Sequence, residues 1–228
     1  MKAILLAGGK GRRLKPFTTT IPKPLFPIGD KPILQVIIEQ LKKYGVNEYI
    51  ISLGYLGELI KAFMGDGEKY NAKITYVREE IPLGTAGAIS LLPKLDDDYI
   101  FMNGDILSTI DFTEAYQEHK KSKALMTICT FEKITKSSLG VLELNKNGEV
   151  ENYLEKPELK QLVSSGIYIL NPRIKDYVPH DTFFDLPDLV KTLIDQNKKI
   201  NTYAIKGDWF DIGTPADLEK AEQYLLEK

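Results

Sequence analysis

The chain has 228 residues, of which 43% are hydrophobic and 27% charged, and a formal net charge of −2. This balance suits a globular chain with a sizeable core, and the lysines and arginines are spread too evenly to form an electrostatic footprint for nucleic acid or an anionic membrane. The single cysteine excludes an intrachain disulfide framework, no apolar stretch reaches the ~18 residues that span a bilayer, and the N-terminus does not read as a signal peptide, so a cytoplasmic chain with no membrane or nucleic-acid partner is expected.

In chain order, Lys2–Ala7 is a short apolar run ending in glycines, the pattern of a buried strand. Pro32–Tyr44 carries apolar residues at helical spacing, and Gly45 supplies a stop. Glu48–Leu53 is the next expected strand and Leu56–Met64 the next helix. Lys73–Val77 reads as a strand, Thr85–Leu92 as a helix, and Tyr99–Met102 as a strand that runs into Asn103-Gly104-Asp105. Asp96-Asp97-Asp98, just before it, reads as a solvated loop rather than a metal cluster. Strands separated by helices call for parallel pairing through right-handed crossovers.

Beyond residue 110 the rhythm changes. Leu125–Phe131, Gly140–Leu144, Val150–Leu154 and Val163–Leu170 read as strands with few helices between them, and Asn145-Lys146-Asn147-Gly148 reads as a hairpin turn. Cys129 falls inside the first of these runs and is expected in the core. Phe184–Asn197 and Pro215–Leu226 read as helices, with Lys199–Ile205 a strand between them. No repeat, low-complexity stretch or linker interrupts the chain. The expected fold is one α/β domain over residues 1–228. It is Rossmann-like, a mostly parallel sheet with helices on both faces and a small mixed β-rich lobe.

The loop Leu6-Ala7-Gly8-Gly9-Lys10-Gly11-Arg12-Arg13-Leu14 follows the first strand directly. Its glycines permit positive φ and close backbone approach, which lets several N–H groups converge on one anion. Arg12 and Arg13 add planar donors matched to phosphate oxygens. The loop fits neither common phosphate motif. It lacks the closing Gly-Lys-Ser/Thr of the Walker pattern, and Leu14 stands where the dinucleotide pattern needs its third glycine. By itself it is either a phosphate cradle or a plain glycine-rich turn. Close behind it, Pro22 and Pro24 flank Lys23, and the prolines are expected to hold this lysine in a stiff extended segment as a well-aimed point charge.

Together, LAGGKGRRLKPFT (6–18) and IPKPLFPIGDKPILQ (21–35) resemble the signature of the sugar-1-phosphate nucleotidyltransferase family, the enzymes that make GDP-mannose, dTDP-glucose, UDP-sugars and relatives. PLGTAGAI (82–89), NGD (103–105), EKP (155–157), SGIYIL (165–170) and WFDIGTP (209–215) continue the resemblance in family order over nearly the whole chain. It implies a nucleotide-binding part mainly within 1–110 and a sugar-phosphate lobe mainly within 111–228. Gly8, Gly9 and Gly11 would cradle a triphosphate. The base would sit against Leu6, Ala7 and the Pro82–Ala86 segment, with Gly84, Thr85 and Gly104 also on the nucleotide. Arg13 would be the catalytic arginine at the β/γ phosphates and Lys23 the lysine at the α-phosphate. Asp105 and Asp211 would be ligands of Mg²⁺, the implied cofactor. Lys156 would hold the sugar phosphate and Glu155 the sugar hydroxyls, with Asn103, Gly140, Ser164 and Gly166 on the sugar side.

The implied reaction transfers NMP from an NTP to a sugar-1-phosphate, a pair of small-molecule substrates, and releases pyrophosphate. A homodimer is compatible with the resemblance. Some positions depart from the family pattern: Ile81 stands where many guanylyl-type relatives have Glu, Leu139 where a Tyr is common, and Ser164 where an Asn is common. GTP with mannose-1-phosphate or a manno-heptose-1-phosphate is the leading expectation. Thymidylyl or uridylyl transfer to glucose-1-phosphate or an amino-sugar phosphate is the alternative. A catalytically silent nucleotide-sugar sensor is an alternative of another class. The chain stops at Lys228 without hexapeptide repeats, so no second acyltransferase activity is expected. The chemistry itself needs no histidine base, because a phosphate monoester with a second pKa of ~6 is already ionised at neutral pH. His119 and His180 accordingly read as structural or surface residues.

Overall fold

The computed structural model describes residues 1–226. Its architecture follows from strands that are apolar on both sides. Along Lys2–Ala7, Ala3, Leu5 and Ala7 enter one core while Ile4 enters the other. Glu48–Leu53 and Tyr99–Asn103 repeat this: Tyr49, Ile51 and Leu53 oppose Ile50, and Ile100 and Met102 oppose Tyr99 and Phe101. With a side-chain period of two, such strands are stable only when both faces are covered.

Seven strands form the main sheet, in the spatial order Ile200–Ala204, Met126–Lys136, Glu158–Leu170, Tyr99–Asn103, Lys2–Ala7, Glu48–Leu53 and Lys73–Arg78. The pairings are parallel except on the two sides of Glu158–Leu170, so that strand alone runs against the other six. Helices Ile33–Lys42, Gly57–Met64, Phe112–Ser122 and Pro215–Leu226 contribute to the core on one face. Helix Leu186–Asp195 and the short helical turns Ala88–Leu91 and Pro172–Tyr177 cover the other. This is the expected α/β arrangement. The hairpin Val141–Leu144 with Val150–Leu154 turns through Asn145–Gly148, where Gly148 has φ 82°. No helix among the described residues is long and apolar enough to cross a membrane.

Several elements differ from the sequence reading. Helix Phe112–Ser122 is not among the predicted helices, because it buries only Phe112, Ala115 and His119 along a polar surface. Its start is nonetheless marked by Asp111, whose carboxylate accepts from Glu114 N at 2.9 Å. Strands Met126–Lys136 and Glu158–Leu170 run past their predicted limits through exposed, mostly polar residues paired only with each other, with Ile134, Leu159 and Leu162 the apolar exceptions. The expected helix 85–92 is a single α-turn, Gly84–Gly87, followed by 3₁₀ geometry over Ala88–Leu91, and Leu92 turns extended ahead of Pro93.

Asp98 is not part of a solvated loop. It is buried, accepts from Asn171 Nδ2 at 2.7 Å, and lies 3.6 Å from the buried His119 imidazole. His119 also shares a 2.7 Å hydrogen bond with Thr127, and burial pushes its pKa down, which fits a structural residue. Cys129 is fully buried and its thiol is pushed up to about 12, so it is an inert core residue.

Candidate active site

The carboxyl ends of the parallel strands open on one edge of the sheet, where ligands of α/β folds collect. The loops that leave Lys2–Ala7, Glu48–Leu53, Lys73–Arg78 and Tyr99–Asn103 there line a cavity of about 850 Å³. Leu6, Ala7, Gly8, Gly9, Gly11, Arg13, Lys23, Pro82, Gly84, Thr85, Asn103, Gly104 and Asp105 all line it. A left-handed turn and a close backbone approach explain the glycines at two of these positions. Gly11 is left-handed at φ 55°, and Thr18 Oγ1 donates to its carbonyl at 3.0 Å. Gly104 backs directly onto the first strand: a Cβ there would stand 2.6 Å from Leu6 O.

The charged groups come from four segments. Lys23 is only 8% exposed, and its Nζ contacts Asp105 Oδ2 directly. The extended geometry expected for Lys23 is not what the chain adopts. Pro22 is extended, but Lys23–Leu25 is a 3₁₀ turn closed by Leu25 N donating to Pro22 O at 2.9 Å. Proline is tolerated in a first helical turn because its missing N–H has no partner there. The result is still a stiffly held lysine.

Arg13 projects from the 3₁₀ turn Arg12–Leu14 and lies against Gly213, where a Cβ would come within 2.7–2.8 Å of three guanidinium atoms. Its Nη2 is 4.0 Å from Asp211 Oδ2. Asp211 reaches this spot because strand Trp209–Asp211 pairs with Ile106–Ser108 and Ile212 N donates to Asp105 O at 3.0 Å. The two aspartates are thereby neighbours. The Asp211 carboxyl is raised above its ordinary value, chiefly by burial and then by the charge of Asp105, while Lys23 and Arg13 draw it down. Asp105 Oδ1 is buried and has no hydrogen-bond partner among the described residues. A buried acceptor without a donor, beside a second carboxylate that resists ionisation, is a donor set that a hard divalent cation would satisfy.

The sugar-side residues fall into two groups. Gly166 lies at φ 75° within a bulge between Ser164 and Tyr168, and a Cβ there would stand 2.8 Å from Asn103 Nδ2. It therefore abuts the cavity through Asn103, and Ser164 Oγ shares a 2.8 Å hydrogen bond with Tyr168 OH nearby. Gly140, Glu155 and Lys156 cluster separately on the hairpin lobe and are not part of the cavity lining. Gly140 lies under the Tyr153 ring, Tyr153 OH donates to Glu155 Oε2 at 2.8 Å, and Lys156 Nζ is 3.9 Å from Glu155 Oε1. Lys156 holds φ 45°, an uncommon left-handed value for a lysine.

Sequence reasoning missed Glu79, Phe183, Asp185 and Gly213, all of which line the cavity. Glu79 accepts from Ser52 Oγ at 3.0 Å and from Leu83 N at 3.1 Å, and so braces the 80–83 loop. Its position just past a strand end was the available signal. Phe183 and Asp185 carry no local one, and Gly213 falls inside the WFDIGTP motif, which marked the segment but not this glycine.

The Nucleotidyl transferase family model matches residues 2–228, and the chain belongs to that family. It is 32% identical over 248 residues to a UTP–glucose-1-phosphate uridylyltransferase of Synechocystis sp., covering 100% of this chain and 64% of that protein. It is 35% identical over 226 residues to a probable mannose-1-phosphate guanylyltransferase of Oryza sativa subsp. japonica, covering 95% and 62%. The chain thus spans about two thirds of the length of the curated relatives it matches. Among solved structures, HddC from Yersinia pseudotuberculosis complexed with GMP-PN superposes with a TM-score of 0.75 at 29% identity, over 98% of this chain and 99% of that one. A putative glucose-1-phosphate thymidylyltransferase from Bacillus anthracis shares the fold, with a TM-score of 0.78 at 23% identity over 98% of this chain and 94% of that one.

Proposed function

We propose that this protein transfers NMP from an NTP to a sugar-1-phosphate and releases pyrophosphate. The observation that carries this is the meeting of Lys23, Arg13 and Asp105 in the lining of a cavity walled by Gly8, Gly9 and Gly11, with Asp211 beside Arg13 just outside that lining. Two anions must be brought together, and charge then builds on the leaving pyrophosphate. Placed cations and backbone N–H groups answer that need. In this reading the glycine loop cradles the triphosphate, Lys23 neutralises the α-phosphate, and Arg13 takes the charge of the departing β and γ phosphates. No general base is required, since the attacking phosphate is ionised already at a second pKa of ~6.

Asp105 and Asp211 would hold Mg²⁺, which when bound supplies positive charge to the phosphate oxygens. Two carboxylates suffice, because Mg²⁺ keeps waters and shares substrate oxygens. Asn103, Ser164 and Gly166 would face the sugar, with Lys156, Glu155 and Gly140 contributed by the hairpin lobe. The division into a nucleotide part (1–110) and a sugar-phosphate part (111–228) is then only approximate, since Asp211 serves the nucleotide side. A cytoplasmic location, where NTPs are available, fits this reading.

For the base we propose guanine, with mannose-1-phosphate or a manno-heptose-1-phosphate as acceptor. The likeness to HddC along 99% of that chain, in a structure complexed with GMP-PN, supports it, as does the similarity to the rice guanylyltransferase. Uridylyl transfer to glucose-1-phosphate is the second reading, supported by 32% identity to the Synechocystis uridylyltransferase across 100% of this chain. Pyrophosphate release from a panel of NTPs against a panel of sugar-1-phosphates tests both. GTP with a manno-configured phosphate is expected to be fastest. Faster release from UTP with glucose-1-phosphate selects the second reading, and release from no pair contradicts the transferase reading.

A further inference from the structure

One wall of the cavity is completed from far along the chain. Segment 182–186 packs backbone to backbone against the turn Gly84–Gly87. Phe184 N donates to Leu83 O at 2.8 Å, and Ala86 N and Gly87 N donate to Phe184 O at 3.0 and 2.9 Å. Asp185 Oδ1 accepts from Thr85 N at 2.8 Å and from Thr85 Oγ1 at 3.0 Å, and Leu186 N donates to Thr85 Oγ1 at 2.9 Å. Gly84 has φ 77°, and a Cβ there would stand 2.7 Å from Phe184 O, so no other residue allows this approach. A join with so many mutual hydrogen bonds holds its side chains in fixed places.

Two side chains beside this join are large, apolar and open to the cavity. Ile81 is 56% exposed and Phe183 61% exposed, and both line it. Apolar groups left in water at a ligand cavity gain when a ligand covers them. The cations that line the cavity sit mainly on the segment from Lys10 to Lys23, whereas the arginine of this wall, Arg78, is engaged by Glu58. A phosphate chain belongs with the first group. A flat heterocycle belongs with the second, because stacking rewards a π face and apolar area.

We infer that Phe183 stacks on the nucleobase of the NTP, and that Asp185 is a positioning residue that holds Phe183 and the Thr85 turn in register. The inference rests on the nucleotidyl-transfer reading and adds to it the residue that grips the base.

The test is Phe183→Ala in the full chain, with nucleotide affinity read by calorimetry and rates read by pyrophosphate release. The side chain is exposed, so the fold is expected to survive its removal. The Kd and KM for the NTP that the wild type uses are expected to rise about tenfold or more. The kcat and the KM for sugar-1-phosphate are expected to stay near wild type. Inorganic tripolyphosphate, which has no base, is expected to bind both proteins alike, and Phe183→Tyr to restore nucleotide affinity. Asp185→Asn is expected to raise the NTP KM with the same split. An unchanged NTP affinity in Phe183→Ala overturns the inference, as does an equal loss of tripolyphosphate binding. Active wild type beside a variant of unchanged affinity overturns this inference alone, whereas wild type that binds no NTP overturns the functional reading with it.

Discussion

Lys23→Ala is expected to lower kcat/KM by about 10²–10³-fold, the usual consequence of removing one placed donor from a site that stabilises developing charge. The side chain is almost fully enclosed and ion-paired to Asp105, so its ammonium is already aimed before any substrate arrives. Preorganisation of this kind costs no rearrangement during the reaction, which is why its loss falls on turnover. Removing the ammonium also strips Asp105 of its charge partner while Asp105 Oδ1 already has no hydrogen-bond partner among the described residues, so the melting temperature should fall as well. Lys23→Met keeps most of the aliphatic stem and separates the two effects: it should recover part of the packing and none of the rate. Steady-state kinetics beside circular dichroism read both quantities. A folded Lys23→Met variant with near-wild-type kcat/KM contradicts the role.

Asp211→Asn is expected to abolish the stabilisation of the protein by Mg²⁺ and to raise the magnesium needed for half-maximal turnover by about tenfold or more. Burial and the neighbouring Asp105 make ionised Asp211 unfavourable in the folded chain. A carboxyl raised in the folded state favours folding below its pKa, and that advantage is lost as pH rises through it. A divalent cation held by Asp105 and Asp211 would reverse the effect at neutral pH, because carboxylates bind a cation in their ionised form. Mg²⁺ should therefore raise the melting temperature of the wild type at neutral pH. The gain should shrink as pH falls to the elevated pKa of Asp211 and the carboxylate takes up a proton. Thermal scans across pH, with and without Mg²⁺, measure this directly. Equal Mg²⁺ stabilisation of Asp211→Asn and wild type contradicts the assignment.

The parallel core was legible because its strands state their burial locally: Ala3-Ile4-Leu5 and Ile50-Ile51 have no polar face to turn outward. The glycine loop was legible for a related reason, since its residue types have few uses directly after a strand. What the sequence could not display are placements made by pairing at a distance. Asp98 looks like one of three solvated aspartates until Asn171, His119 and Lys120 close around it. Phe183 and Asp185 have no motif, and they reach the cavity only because the backbone of Phe184 docks on the Leu83–Gly87 turn. Gly213 looks like a helix-start glycine, yet the Arg13 guanidinium occupies the space a side chain would need. The mostly polar extensions of Met126–Lys136 and Glu158–Leu170 carry no regular apolar alternation that would mark them as strands.

The central claim is that the α-phosphate of an NTP passes to a sugar phosphate at this site. Incubation of the protein with an NTP labelled at the α-phosphorus and its sugar-1-phosphate partner tests it most directly. The claim predicts that label leaves the NTP only when both substrates are present. It should appear in a product with two linked phosphates, one labelled and one from the sugar, with unlabelled pyrophosphate released in equal amount. Label that stays in the NTP, or that appears as free NMP without the sugar phosphate, would contradict it.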